Sequence, residues 1–185
     1  MNSFVEIFRS HCVFDTNGRH TNGTDRQSNH NYGDAYDYLF PDRESIKEVL
    51  EVGNADGSGM LSFREAFPNA TIVGLDIHPC AAAGLERIEC HVGDQRIKAD
   101  CERAARGHEF DAIIEDGYHD TTHTLLTLFW LWPFVRRGGI YIIEEFADVH
   151  SHVQNIESMF RGIVQICPTQ GPFGGNEPLV VLRKP

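Results

Sequence analysis

No run in these 185 residues approaches the roughly 18 consecutive apolar residues of a membrane helix, and the N-terminus lacks the continuous apolar core of a secretory signal. A soluble, cytoplasmic protein is the expectation. Basic residues are scarce: 16 Lys plus Arg against 27 Asp plus Glu leave a formal net charge of -11. The positive footprint of a nucleic-acid binder is therefore missing, and a small neutral or cationic molecule is the expected partner. The five cysteines, Cys12, Cys80, Cys90, Cys101 and Cys167, form no C-x-x-C pair. Their scatter and odd number predict free thiols in a reducing compartment, with neither a zinc nor a redox motif among them. The length suits one domain with a real core.

Also absent is the G-x-G-x-x-G turn that packs a dinucleotide pyrophosphate against a helix. What is present is Glu51-Val52-Gly53-Asn54-Ala55-Asp56-Gly57-Ser58-Gly59, preceded by the β-formers Ile46, Val49 and Leu50 and followed by a helical composition from Leu61 to Phe67. This reads as strand, tight turn and helix, with glycines where backbone amides must approach a ligand closely. The next strand, Thr71 to Asp76, ends in a carboxylate at about the interval where an acid takes ribose hydroxyls. Together they describe half of a nucleoside-binding βαβ unit.

Downstream, Ile88 to Val92 predicts a third strand ending in Gly93-Asp94-Gln95. That pair offers donors and acceptors to an adenine edge, or Asp94 caps the helix expected from Arg96 to Ala105. Phe110 to Gly117 has the nearly continuous apolar character of a buried parallel strand. A helix is expected from His119 to Val135, stopped by Gly138-Gly139, then a strand through Ile140 to Ile143 that runs into Glu144-Glu145. Helix from Val149 to Phe160 and strands at Ile163 to Cys167 and Leu179 to Leu182 complete the pattern, the last two pairing antiparallel. The expected fold is α/β, a Rossmann-like doubly wound sheet of about seven strands, mostly parallel with an antiparallel last strand. Upstream, Phe4 to Phe8 suggests an amphipathic helical turn. His20 to Gly33 has loop composition, compatible with disorder or with an ordered lid, and Tyr32, Tyr36, Tyr38, Leu39 and Phe40 suggest a helix packing aromatics into the core. Residues 1–40 are thus expected as an N-terminal extension or lid at the active site, and 41–185 as the nucleoside-binding domain.

Ligands of such sheets sit at the carboxyl ends of the strands. That rule gathers Glu51, Asp76, Asp94, Glu115, Asp116, Glu144 and Glu145 around one crevice. So many carboxylates repel one another unless a cation compensates, and Asp116, Glu144 and Glu145 make a natural oxygen set for a magnesium-type ion. The competing reading makes individual acids helix caps or solvated loop residues. His119 and His123, four apart, could instead join a zinc site, although no third soft ligand is evident.

Two resemblances sharpen the reading. Glu51-x-Gly53-x-x-x-Gly57 resembles motif I, E-x-G-x-x-x-G, of the class I S-adenosylmethionine (SAM)-dependent methyltransferases. Glu115-Asp116-Gly117-Tyr118-His119 with His123 is similar to the D-D-G-S-H-x-x-x-H run of metal-dependent O-methyltransferases that modify macrolide and aminocoumarin sugars. Gly138-Gly139-Ile140-Tyr141-Ile142-Ile143-Glu144-Glu145 resembles their G-G-x-Y-x-I-E-D. Thr24-Asp25-Arg26, His30-x-Tyr32 and Tyr38-Leu39-Phe40 resemble their G-T-D-K, H-x-Y and L-F, so the likeness spans residues 23 to 146.

The resemblance implies SAM as methyl donor, Mg2+ or another divalent cation held by Asp116, Glu144 and Glu145, and His119 or Asp116 as the base for an acceptor hydroxyl. It implies SAM contacts from Gly53, Asp76, Asp94 and Gln95, with Glu51, Gly57 and Glu115 on the same cofactor wall. Glu115 and Glu145 stand where the family has aspartates, Tyr118 stands where it has a small residue, and the auxiliary domain of larger members is lacking. The acceptor pocket is then expected from the N-terminal segment and the strand ends, or from a neighbouring subunit of a homo-oligomer as well. A non-catalytic SAM-binding subunit is the alternative, with an NAD-linked oxidoreductase disfavoured by the glycine spacing.

Overall fold

The computed structural model describes residues 1–14, 20–146, 149–160, 163–167, 169 and 178–185. In chain order the elements are α1 (Phe4–Ser10), β1 (Cys12–Phe14), β2 (His20–Gly23), α2 (Gly33–Leu39), β3 (Glu48–Val52), α3 (Ser58–Ala66), β4 (Thr71–Asp76) and β5 (Ile88–Val92). They continue as α4 (Lys98–Ala105), β6 (Phe110–Glu115), α5 (Thr121–Leu131), β7 (Val135–Ile143), α6 (Val149–Phe160), β8 (Ile163–Cys167) and β9 (Leu179–Arg183).

Seven strands form one sheet in the order β5-β4-β3-β6-β7-β9-β8. β9 runs antiparallel to both neighbours, and the other pairings are parallel. Apolar runs without alternation mark strands covered on both faces, and β6 is buried along its whole length. One face carries α1, α2 and α3 over Val49, Ile72 and Ile114. The other carries α4, α5 and α6 over Leu50, Val73 and Ile113. The strand order reverses at β3, between β4 and β6, which opens a crevice at the carboxyl ends there.

Several expected boundaries move, each for a local reason. The β4 to β5 crossover, residues 77–87, is a series of turns where regular alternation calls for helix. Pro79 and Gly84, the latter at φ +85°, break it. Helix α5 stops at Leu131 rather than Val135, because Pro133 allows only a 3-10 turn over Trp132–Phe134. The chain then enters β7 early, and an irregularity of register opposite Phe110 and Ala112 absorbs the Gly138-Gly139 pair.

The aromatic residues near the N-terminus are core. Phe4, Phe8, Tyr36 and Phe40 pack against one another, against Phe63 of α3 and against Phe67 just beyond it, with ring centroids between 4.9 and 6.0 Å apart. Tyr38 of the same run is exposed. The polar stretch after β2 is also built in: Thr24, Arg26, Gln27 and His30 are buried. Among the described residues all five cysteines are free, and no helix is long and apolar enough to cross a membrane.

Candidate active site

The turn after β3 is shaped by close backbone approach. Gly53 has φ +83°, and a Cβ there would lie 2.1 Å from the carbonyl oxygen of Asp116. Only glycine fits that position. Ala55 is also left-handed, at φ +42°, a conformation costly for a side-chain-bearing residue. Asp76 holds it there: its carboxylate accepts the Ala55 N–H and the His78 N–H, each at 2.8 Å. The aspartate that ends β4 thus braces the glycine turn while still bordering the crevice.

The crevice, about 470 Å³, is walled by Gly53, Asp76, Asp94, Asp116, His119 and Glu145 among others. Its size is that of a small-molecule site. Gln95 lies at its floor with both ends of its amide engaged: Nε2 donates to Glu115 at 2.7 Å, and Oε1 accepts the Tyr118 N–H at 2.8 Å. Gln95 therefore fixes the loop after β6 from below. Asp94 pairs with Arg96 at 2.7 Å, and the Arg96 guanidinium stacks over the Tyr118 ring.

Three of the expected acids turn inward. Glu115 is fully buried and does not border the crevice; burial raises its pKa, against the hydrogen bond from Gln95. Glu51 and Glu144, each 1% exposed, point at Arg26 instead. Here the expectation of a cofactor wall that includes Glu51 and Glu115 gives way to a buried support. A carboxylate on the penultimate or last residue of a buried strand still lies within the protein, and so needs a protein partner.

Arg26 is that partner. Its Nη2 lies 2.9 Å from Glu51 Oε1, 2.8 Å from Asp116 Oδ2 and 2.9 Å from Glu144 Oε2, and Nε donates to Glu144 Oε1 at 3.0 Å. Tyr36 donates its hydroxyl to Glu144 as well. Burial pushes the Glu51 carboxyl up to about 7 even though Arg26 pulls it down. Burial and the Glu144 charge raise Asp116 in the same way.

Facing the crevice is a second cluster. His119 Nε2 lies 3.8 Å from Asp116 Oδ1 and 3.6 Å from Glu145 Oε2. His30 Nε2 lies 2.8 Å from Glu145 Oε1 and 3.2 Å from Asp25 Oδ2. In each set, Asp116, His119 and Glu145 or Asp25, His30 and Glu145, ligand atoms lie within 4.8 Å of one another. His119 and Glu145 both have left-handed backbones, φ +54° and +53°, a strain of the kind found at functional sites. Burial works against a charged His30, but the two carboxylates outweigh it and hold its pKa near 11. Asp25, although burial pushes it up, is drawn down to about 2 by the His30 hydrogen bond.

The sequence placed Asp76, Asp94, Asp116, Gly53 and Glu145 at one crevice, and they meet there. His119 was expected on the first turn of a helix and instead precedes it, because Asp120 is the cap and accepts the His123 N–H. The His123 ring bonds Asp120 at 2.7 Å, so the pair His119 and His123 does not converge on a shared zinc position. Arg26, Asp25 and His30 had no assigned role beyond their motif likeness. The clue to them was the surplus of strand-end acids, which demanded a buried cation.

No family model matches the chain. It is 36% identical over 120 residues to demethylmacrocin O-methyltransferase of Streptomyces fradiae, covering 60% of this chain and 30% of that protein. It is 34% identical over 119 residues to mycinamicin VI 2''-O-methyltransferase of Micromonospora griseorubida, with the same shares covered. The chain thus covers less than a third of the length of these two relatives. Among solved structures, MycE methyltransferase from the mycinamycin biosynthetic pathway, in complex with Mg, SAH and mycinamycin VI, superposes with a TM-score of 0.70 at 24% identity over 83% of this chain and 48% of that one. An O-methyltransferase from Bacillus cereus in complex with SAH gives 0.66 at 14% identity over 100% of this chain and 92% of that one.

Proposed function

We propose that this chain, whose strand order and motifs are those of the class I SAM-dependent methyltransferases, transfers the SAM methyl group to a hydroxyl of a small-molecule sugar or natural product with the help of a divalent cation. The observation that carries the reading is the meeting of Asp116, His119 and Glu145 at the mouth of the crevice that Gly53 and Asp76 border. The curated relatives named above, O-methyltransferases of demethylmacrocin and of mycinamicin VI, support the acceptor class.

SAM would be held at the β3, β4 and β5 ends by Gly53, Asp76 and Asp94, where it supplies the methyl group. Asp76 has lone pairs free beyond its two backbone bonds and is the acceptor for ribose hydroxyls. Asp116 and Glu145 would supply oxygen donors toward the crevice, a set that suits a magnesium-type or manganese-type cation, with His119 beside them as the base. Glu144, the third acid of the family resemblance, buttresses them from its place against Arg26. The cation would contribute polarisation of the acceptor hydroxyl. His119 takes the hydroxyl proton as the oxygen–methyl bond forms and the sulfur–methyl bond breaks, leaving SAH. Residues 1–40 act as an extension that brings Asp25 to the crevice and His30 behind Glu145, and the free thiols fit a reducing cytoplasm.

Calorimetry with SAM, in the presence and absence of EDTA, tests the donor half of this reading. Binding is expected in both conditions, with none for NAD. A chain that binds NAD and ignores SAM would overturn it.

A further inference from the structure

We propose that Arg26 is a positioning residue for methyl transfer: it holds Asp116 so that one carboxylate oxygen faces inward and the other faces the crevice. The proposal rests on the functional reading above for the role of Asp116, and on geometry for the role of Arg26.

The two oxygens of Asp116 have different partners. Oδ2 accepts from Arg26 Nη2 at 2.8 Å, while Oδ1 points toward His119 Nε2 at 3.8 Å. Arg26 itself does not border the crevice, so it acts through Asp116. The guanidinium is fixed on every side. It lies 4.9 Å over the Phe63 ring of α3, Nη1 donates to Thr24 Oγ1 at 3.4 Å, and Glu51 and Glu144 accept from it. Gly59 keeps the space clear, since a Cβ there would sit 2.5 Å from Arg26 Nη1 and 2.1 Å from Glu51 Oε1.

Three carboxylates from the ends of β3, β6 and β7 thus converge on one cation that is 3% exposed. Without it they would repel one another in a low-dielectric interior. Exposure decides which of them moves. Glu51 and Glu144 are 1% exposed and have no route out, whereas Asp116 is 20% exposed and opens onto the crevice. Removal of the cation therefore rotates Asp116 and spoils the arrangement that His119 and a metal ion would use.

The test compares Arg26→Gln with Arg26→Lys, which keeps a charge. Mn2+ affinity is read by electron paramagnetic resonance, SAM affinity by calorimetry, and the Asp116 side chain by crystallography. Arg26→Gln is expected to weaken Mn2+ about 10- to 100-fold, the usual effect of losing a residue that orients a metal ligand. SAM affinity should stay within about twofold, since Arg26 does not reach the nucleoside side of the crevice. Arg26→Lys should recover most of the Mn2+ binding, and Asp116 should be rotated in the Gln variant alone. Should Arg26→Gln not fold, adding Glu51→Gln removes one of the repelling acids, and the same outcomes are read in the double variant. Wild-type protein that binds SAM but no Mn2+ would refute the metal reading, and the Asp116 rotamer would still decide the role of Arg26. An unmoved Asp116 in the neutral variant, or a Lys variant as impaired as the Gln one, overturns the proposal.

Discussion

His30 Nε2 lies 2.8 Å from Glu145 Oε1, tying a residue of the polar segment before α2 to the acid that follows β7. His30 also pairs with Asp25, which lines the crevice, so the N-terminal segment contributes to its wall. Arg26 makes the same kind of link four residues earlier, to Asp116 and Glu144. Between them these two cations reach Asp116, Glu144 and Glu145, the acids directly after β6 and β7, from a stretch of chain whose composition reads as loop.

Gly53 is expected to tolerate no side chain. Gly53→Ala would set a Cβ 2.1 Å from the Asp116 carbonyl and require a left-handed backbone at φ +83°. A loss of at least about 1–3 kcal/mol follows from the strain alone, read as a lower melting temperature together with weaker SAM binding. An Ala variant with the wild-type melting curve would contradict this account of the turn.

Asp76→Ala is expected to weaken SAM by roughly 1.5–3 kcal/mol, the range for charge-assisted hydrogen bonds. The same change frees the Ala55 and His78 N–H groups that Asp76 now holds, one on each carboxylate oxygen, so Asp76→Asn, whose single amide oxygen can still accept from one of them, should lose less. An Asn variant with near-wild-type SAM affinity beside an impaired Ala variant, measured by calorimetry, would move the role of Asp76 from the ligand to the turn.

His119→Ala should lower turnover about 100- to 10,000-fold, the usual share of a general base, with SAM affinity preserved. The His119 ring is about one-third exposed and lies beside Asp116 and Glu145, so its loss leaves no cavity in the core. Near-wild-type turnover in this variant would return the base to Asp116.

Glu51 gives a pH-dependent signature. Burial raises its carboxyl from an ordinary 4.5 to about 7 in the folded chain. Between those values the folded state binds the extra proton, so the contribution of Glu51 to stability is greatest below about 4.5 and falls as pH rises to 7. Glu51→Gln removes this titration. The stability of the Gln variant relative to wild type should therefore grow by up to about 3 kcal/mol between pH 4.5 and 7. A constant difference across that window, from urea melts, would contradict it.

The strands were legible because buried parallel strands read as apolar runs, as Phe110 to Ile114 shows. The acids after them were legible because a strand's end fixes where the next residue emerges. What the sequence hid was the direction each acid takes. Glu144 and Glu145 are neighbours, yet one faces Arg26 in the interior and the other His119 and His30 at the surface, because Glu145 is left-handed at φ +53°. A period-based reading carries no information on that torsion. Nor could it find Gln95 bonded to Glu115 twenty residues away, or Arg26 bonded to Glu144 across 118 residues of chain. Such pairings are made by tertiary packing. The end of α5 was moved by one proline, a signal that was present in the sequence and overridden by the apolar pattern around it.

The central claim, cation-assisted methyl transfer at this crevice, is tested most directly by one assay. Labelled SAM is offered with a panel of deoxysugar-bearing natural-product acceptors, once with Mg2+ and once with excess EDTA. Label is expected to appear on an acceptor oxygen with Mg2+ and to vanish with EDTA while SAM binding persists, because in the proposed arrangement Asp116 and Glu145 would hold the cation on the acceptor side of the crevice and Asp76 the donor. Transfer at an undiminished rate in EDTA would contradict the account.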